Sequence, residues 1–196
     1  IATTALPVIA DLVEPHASSE YVHQLRSIEY LANVCLVLEL DRSLSDTYWL
    51  NVNDPSFPFV GVIEHTNFEP AETYGGRHIV YLSKYLPETE KLYQMTDKQV
   101  LDYCIPYLQR MFPKFKQSWI QRHHVWRARY SQPVVVRHYS KLIPAMETPL
   151  AGLYISTMAQ IYPEDRGTNY AIREGRQVGR LLADVLEKKM TQGLAK

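Results

Sequence analysis

The residues best placed to do chemistry lie near the end of the chain. Gly152-Leu153-Tyr154-Ile155-Ser156-Thr157 reads as a strand, a loop follows, and Gly167-Thr168-Asn169-Tyr170 opens a helical stretch. The first turn of a helix carries unpaired N–H groups and a partial positive charge. Gly167 lets backbone come close to a ligand, Thr168 or Asn169 can cap, and Ser156 and Thr157 bring two hydroxyls to the strand end. A phosphate or a polarised ring edge suits that position. So does a plain strand-loop-helix connection that caps itself.

A second constellation is Val60-Gly61-Val62-Ile63-Glu64-His65-Thr66-Asn67-Phe68. On a strand, Val60, Val62 and Glu64 share a face, so Glu64 is a carboxylate ending an apolar row. Such a group serves as a substrate contact or a general base. It serves equally as the cap of a loop or the partner of an arginine. A third feature is charge. Arg110, Lys114, Lys116, Arg122, Arg127, Arg129, Arg137 and Lys141 fall in a stretch without an acid. Read functionally, they line a pocket for an anionic substrate; read plainly, they are a solvated surface that pairs with acids elsewhere. His123-His124 is no metal signal, because neighbours on a strand point to opposite faces. Tyr48, Trp49 and Tyr81 are candidates for an aromatic cage.

Several elements must position these groups. The spacing predicts a strand end at 1–4, then helices over Leu6–Val13 and 19–28 with Ser18 or Ser19 as cap. Tyr30–Leu40 is apolar on both faces, as a central strand is. Strands follow at 48–52, 59–65 and 78–83. Thr96 and Gln99 have capping-box spacing at the head of a helix striped by Val100, Leu101, Cys104, Leu108 and Met111. Pro106 is expected to kink or interrupt it. Residues 119–136 are extended, with Pro133 marking a break or an edge. A long helix over 168–190 carries the stripe Ala171, Ile172, Gly175, Val178, Gly179, Leu182, Val185 and Leu186. Its two glycines imply close approach to a backbone or a ligand, since each costs a helix about 1 kcal/mol relative to alanine. The fold class is α+β: a mixed, largely antiparallel sheet with flanking helices.

The 196 residues carry 21 Lys+Arg and 21 Asp+Glu, so bulk charge points to neither nucleic acid nor a membrane surface. No apolar run reaches the roughly 20 residues of a membrane span. Cys35 and Cys104 sit in apolar stretches and read as buried thiols of a reducing, cytoplasmic compartment. The chain opens on Ile1-Ala2-Thr3-Thr4 in what reads as mid-strand, as a segment of a longer polypeptide does.

The ending resembles the C-terminal flavin-binding segment of the amine oxidase and protoporphyrinogen oxidase group. There a strand G-L-Y-x-A-G-D leads through a loop into a helix with G-A-x-x-S-G-R-x-A-A. This sequence supplies Gly152-Leu153-Tyr154 and then Ala171-Ile172-Arg173-Glu174-Gly175-Arg176. Ile1-Ala2-Thr3-Thr4-Ala5-Leu6-Pro7 resembles the segment by which that group's chain leaves its flavin domain. The resemblance implies residues 1–14 as the end of a flavin-domain segment, 15–150 as a substrate domain, and 151–196 as the last strand and helix of the flavin domain. It implies FAD as cofactor, near Ser156, Thr157, Gly167, Thr168 and Asn169, and hydride transfer from a small organic substrate, possibly an anion, to the flavin. Glu64, Tyr81 and Arg129 are the substrate-side candidates. Ser156-Thr157 stand where the group has Gly-Asp. The G-x-G-x-x-G turn that carries most dinucleotide recognition does not occur in the chain, so the resemblance places it in a missing N-terminal flavin domain, without which flavin binding is weak or absent. The stretch around Glu64 is also similar to UDP-galactopyranose mutases, flavoenzymes without net redox change, although Gly61-Val62 replace their arginine. A non-catalytic binding module is the remaining alternative.

Overall fold

The computed structural model describes residues 1–194. They form two compact units, one of residues 1–29 with 133–194 and one of residues 30–132.

The second unit is a five-stranded sheet with strands β1 (Tyr30–Leu40), β2 (Trp49–Asn51), β3 (Gly61–Glu64), β4 (His78–Leu86) and β5 (Ile120–Pro133), in the order β2-β3-β4-β1-β5. The pairs β1–β4, β3–β4 and β2–β3 are antiparallel. The period-2 alternation of β1 sets its facing, and Val34, Leu36, Leu38 and Leu40 are all buried. Register then propagates this face across the sheet, through Leu36↔Leu82↔Val62 and Leu38↔Val80. Helix α4 (Asp97–Met111) closes the core with Val100, Leu101, Cys104, Ile105 and Leu108. Each fully buried leucine contributes about 2 kcal/mol of apolar transfer. The other face carries the row Val37–Tyr81–Ile63–Trp49 and, beside it, Cys35–Ser83–Gly61–Asn51. Between β3 and β4, Gly75 and Gly76 adopt φ of +67° and +79°, a left-handed turn that side chains with a Cβ resist.

Helix α4 starts in the expected capping box, with Thr96 Oγ1 accepting from Gln99 N–H at 3.3 Å and Gln99 Oε1 accepting from Thr96 N–H at 2.9 Å. The expected interruption at Pro106 does not occur, and the helix runs through it to Met111. Pro106 lies on the exposed side, where water can satisfy the carbonyl it leaves without a donor, while Val100, Cys104, Ile105 and Leu108 hold the buried side in the core. Pro106→Ala is therefore expected to stabilise the protein by about 2 kcal/mol, less than the roughly 3 kcal/mol propensity difference because the unfolded chain also gains freedom. A higher urea midpoint at unchanged slope checks this.

The two cysteines are free thiols. Cys104 is in the core, whereas Cys35 alternates with core residues and points to the opposite face. Burial pushes the Cys35 thiol up to about 11 and the Cys104 thiol up to about 12, from an ordinary 9.0. Above pH 9 the unfolded chain releases these protons and the folded chain keeps them. Stability is thus fully present below about pH 9 and falls as the pH rises through 11 and 12. Unfolding midpoints at pH 7, 9 and 10.5 should show the decline, and Cys104→Ala should flatten it.

The first unit contains α1 (Leu6–Val13), α2 (Ser19–Arg26), numbered before the helices of the sheet unit, and the long α5 (Thr168–Leu194); α3 is the short Lys91–Gln94 turn of the sheet unit. Ser18 caps α2 by accepting from Tyr21 N–H at 3.3 Å. Arg26 clamps Asp11 and Glu14 at 2.7 and 2.9 Å, joining the two short helices. The expected strand over 152–157 is reduced to two isolated bridges: Ile155 pairs with Ala2 in parallel and Tyr154 with Glu147 antiparallel. Gly152, at φ +80°, turns the chain just before them, and a 3-10 turn at Met158–Gln160 begins just after, so the ladder has no room to extend. In α5 only Val178 of the expected stripe is buried. Gly175 and Gly179 have no atom within 4 Å of where a Cβ would stand, so no described backbone approaches them.

Candidate functional site

Two hydrogen bonds build the most site-like feature of the first unit. Ala2 N–H donates to the Tyr154 carbonyl at 2.8 Å, and Ser156 N–H donates to the Ala2 carbonyl at 3.0 Å. They align residues 1–3 with 154–157. Ile1, Thr3, Ser156 and Thr157 then face Ala171, Glu174, Gly175 and Val178 of α5 across a cleft of about 350 Å³, with Met158 and Ile161 completing its walls.

Thr157 is only 6% exposed, and with Gln160 it forms a capping box at the head of the 3-10 turn Met158–Gln160. The surrounding turn is rigidly tied. Gln160 Oε1 accepts from Thr157 N–H at 2.7 Å, Gln160 Nε2 donates to the Pro144 carbonyl at 3.1 Å, and Tyr139 OH donates to the Ala159 carbonyl at 2.7 Å. These bonds fix the turn that places Thr157 in the wall of the cleft.

Glu174 also lines the cleft, with its side chain 12% exposed. Arg173 Nε donates to it at 3.0 Å, and the same guanidinium reaches Glu164 at 2.7 Å. The Arg173 hydrogen bond holds the Glu164 carboxyl below its ordinary range, and the two acids raise Arg173 in turn. Sequence reading passed over Glu174, although the helical spacing of Ala171, Glu174, Gly175 and Val178 puts all four on one face.

The start of α5 is separate from this cleft. Thr168 and Asn169 are exposed, and Asn169 lines a shallow groove of about 520 Å³ with Ile172, Arg173, Arg176, Gln177 and Arg180. An added Cβ at Gly167 would stand 2.8 Å from Asn169 Oδ1. Of the five residues expected near a cofactor, Ser156 and Thr157 share the cleft, and Gly167, Thr168 and Asn169 sit at the helix start.

The substrate-side candidates are dispersed within the second unit. Glu64 is 1% exposed and points into a loop, where its carboxylate accepts from Leu44 N–H at 3.1 Å and Ser45 N–H at 2.9 Å, with His78 Nδ1 at 3.8 Å. This is the loop-capping role among the readings open to it. Arg129 is bound to Glu88 through Nε at 2.7 Å and Nη2 at 3.0 Å. Arg110 pairs with Asp54 and Arg127 with Asp97, so three members of the basic run are matched by acids. Tyr81 lies on the sheet face away from α4, beside His65, whose Nε2 is 2.6 Å from Tyr74 OH. Burial and neighbouring phenols raise the Tyr81 hydroxyl pKa. Tyr48 and Trp49 stack at that end with Phe68, and all three are exposed.

The family model for flavin-containing amine oxidoreductases matches residues 1–181, and the chain belongs to that family. Among curated proteins no sequence matches it. Its fold is similar to a candidate protoporphyrinogen oxidase from Exiguobacterium sp. 255-15 (TM-score 0.61, 12% identity, covering 80% of this chain and 35% of that one). It is also similar to an oxidoreductase from Methanosarcina mazei (TM-score 0.57, 18% identity, 79% and 36%). A third similar fold is that of reduced UDP-galactopyranose mutase (TM-score 0.55, 11% identity, 72% and 31%). The chain spans about a third of the length of each of these structures.

Proposed function

We propose that this chain is the C-terminal part of an FAD-dependent oxidoreductase that takes a hydride from a small organic substrate. In this reading residues 1–14 and 151–196 belong to the flavin domain, 15–150 form the substrate domain, and an N-terminal flavin domain completes the protein. The observation that carries it is the family match over residues 1–181, together with the cleft that Ser156 and Thr157 line just after the Gly152-Leu153-Tyr154 segment. Ser156 and Thr157 line the cofactor's place, and Gly167, Thr168 and Asn169 offer the α5 N-terminus to it. When bound, the flavin supplies the redox chemistry, and the protein binds and orients. On the substrate side Tyr81 is the best placed of the candidates, because Glu64 and Arg129 are engaged elsewhere. The free thiols Cys35 and Cys104 agree with a reducing compartment such as the cytoplasm.

The test is the visible absorption spectrum of the full-length protein. A flavin band, with oxygen or another acceptor consumed during turnover, is the expected result. Flavin with no acceptor consumption would favour an isomerase of the mutase kind. No flavin even after addition of FAD would overturn the reading and leave a binding module.

A further inference from the structure

Glu64 is a carboxylate at 1% exposure, and among the described residues no lysine or arginine reaches it. Its charge is met by the N–H groups of Leu44 and Ser45 and, at 3.8 Å, by Nδ1 of His78. The two side chains end neighbouring strands on the core face. Glu64 closes β3 opposite Val80, and His78 opens β4 opposite Leu40. His78 Nδ1 is buried and has no hydrogen-bond partner among the described residues. The side chain as a whole is 27% exposed, so water can deliver a proton to the ring. A buried carboxylate is ordinarily paired. Imidazole is the side chain that gains or loses a positive charge between about pH 5 and 8.

The other charges near His78 are already engaged. The Arg42 hydrogen bond, and more weakly the charge of His78, hold the Asp41 carboxyl below its ordinary range. Arg77, beside His78 in the chain, is taken by Glu39, whose other oxygen lies 3.5 Å from His124 Nε2.

We infer that His78 is a proton-controlled counter-ion to Glu64, and that its protonation latches the loop of residues 41–47 onto the sheet. The neutral ring offers the carboxylate a weak dipole, whereas the imidazolium offers a full opposite charge in a poorly hydrated setting, where it acts most strongly. That charge also keeps Glu64 ionised, and so keeps it accepting from Leu44 and Ser45. The hold is therefore present at acid pH and is lost as the pH rises and the ring gives up its proton. The loop leads directly into Tyr48 and Trp49. Asn67 Nδ2 ties its Ser45 and Thr47 carbonyls to the turn that ends at Phe68. The latch thus sets how firmly the exposed aromatic edge of Tyr48, Trp49 and Phe68 is held. It is independent of the flavin reading.

The experiment is hydrogen–deuterium exchange of the full-length protein, read by mass spectrometry at pH 5.5 and 8.0. Protection of the Leu44 and Ser45 amides, corrected for intrinsic exchange, should be about tenfold greater at the lower pH. His78→Asn cannot take up the proton, so its protection should be equal at both pH values. His65→Asn and His124→Asn should keep the wild-type dependence. Equal protection of the wild type at both pH values overturns the inference. So does a dependence that survives in His78→Asn, which would place the titrating group elsewhere. Greater wild-type protection at pH 8.0 overturns it as well, because the proton would then be entering Glu64 and releasing the loop. These wild-type readings stand even if His78→Asn fails to fold.

Discussion

Glu64→Ala is expected to destabilise the protein by about 3–5 kcal/mol. The carboxylate is 1% exposed and is the acceptor for the N–H groups of Leu44 and Ser45. Removing it strands two buried backbone donors, and the loop is then held by Asn67 Nδ2, which donates to the Ser45 and Thr47 carbonyls at 2.7 and 3.1 Å, and by the Glu64 N–H bond to the Tyr48 carbonyl. Glu64→Gln keeps one acceptor oxygen and should cost about half as much. Urea unfolding followed by far-UV circular dichroism reads both. The outcome also separates two roles for this residue. A carboxylate kept for proton transfer is usually a burden on stability, so its removal is neutral or stabilising. A loss of several kcal/mol assigns Glu64 to holding the loop, and unchanged stability would return it to the substrate-side candidates.

The second large effect is expected at Tyr139, which is 1% exposed and donates through its hydroxyl to the Ala159 carbonyl at 2.7 Å. Tyr139→Ala removes a buried ring and orphans that carbonyl, for about 3–5 kcal/mol. Tyr139→Phe removes the hydrogen bond alone and should cost about 1 kcal/mol. The consequence extends to the cleft, because the 3-10 turn that Tyr139 pins includes Ala159 and directly follows Thr157. Protease nicking within residues 156–162 should therefore accelerate in Tyr139→Ala and stay slow in Tyr139→Phe. Equal nicking in both would show that the ring does not hold this turn.

Much of the architecture is legible in residue order because it is set locally. The alternation of Val34, Leu36, Leu38 and Leu40 determines which face of β1 is buried, and Thr96 with Gln99 fixes where α4 begins. Leu6–Val13 and Tyr30–Leu40 begin and end where their patterns do. The Pro106 expectation failed because helix propensity is a local quantity, and the packing of one face of α4 outweighs it. The 152–157 strand shrank to two bridges because strand length is set by partners, and the turns at Gly152 and Met158 leave those partners a single residue each.

The same division governs the site. Residue types alone singled out Ser156, Thr157 and the start of α5 as a candidate ligand site and left a self-capping connection open beside it, since cap chemistry and small residues act at short range. Residue types alone also left Glu64 and the basic run open between chemistry and structure. Only the tertiary structure decided these. It turned Glu64 onto the backbone of residues 44 and 45, matched Arg110, Arg127 and Arg129 with acids distant in sequence, and brought Glu174 into the same cleft as Ser156 and Thr157. The physical reason is that a polar side chain takes its role from whichever partner lies within about 3 Å of it. In a folded chain that partner is chosen by the packing of whole elements, which residue order does not display.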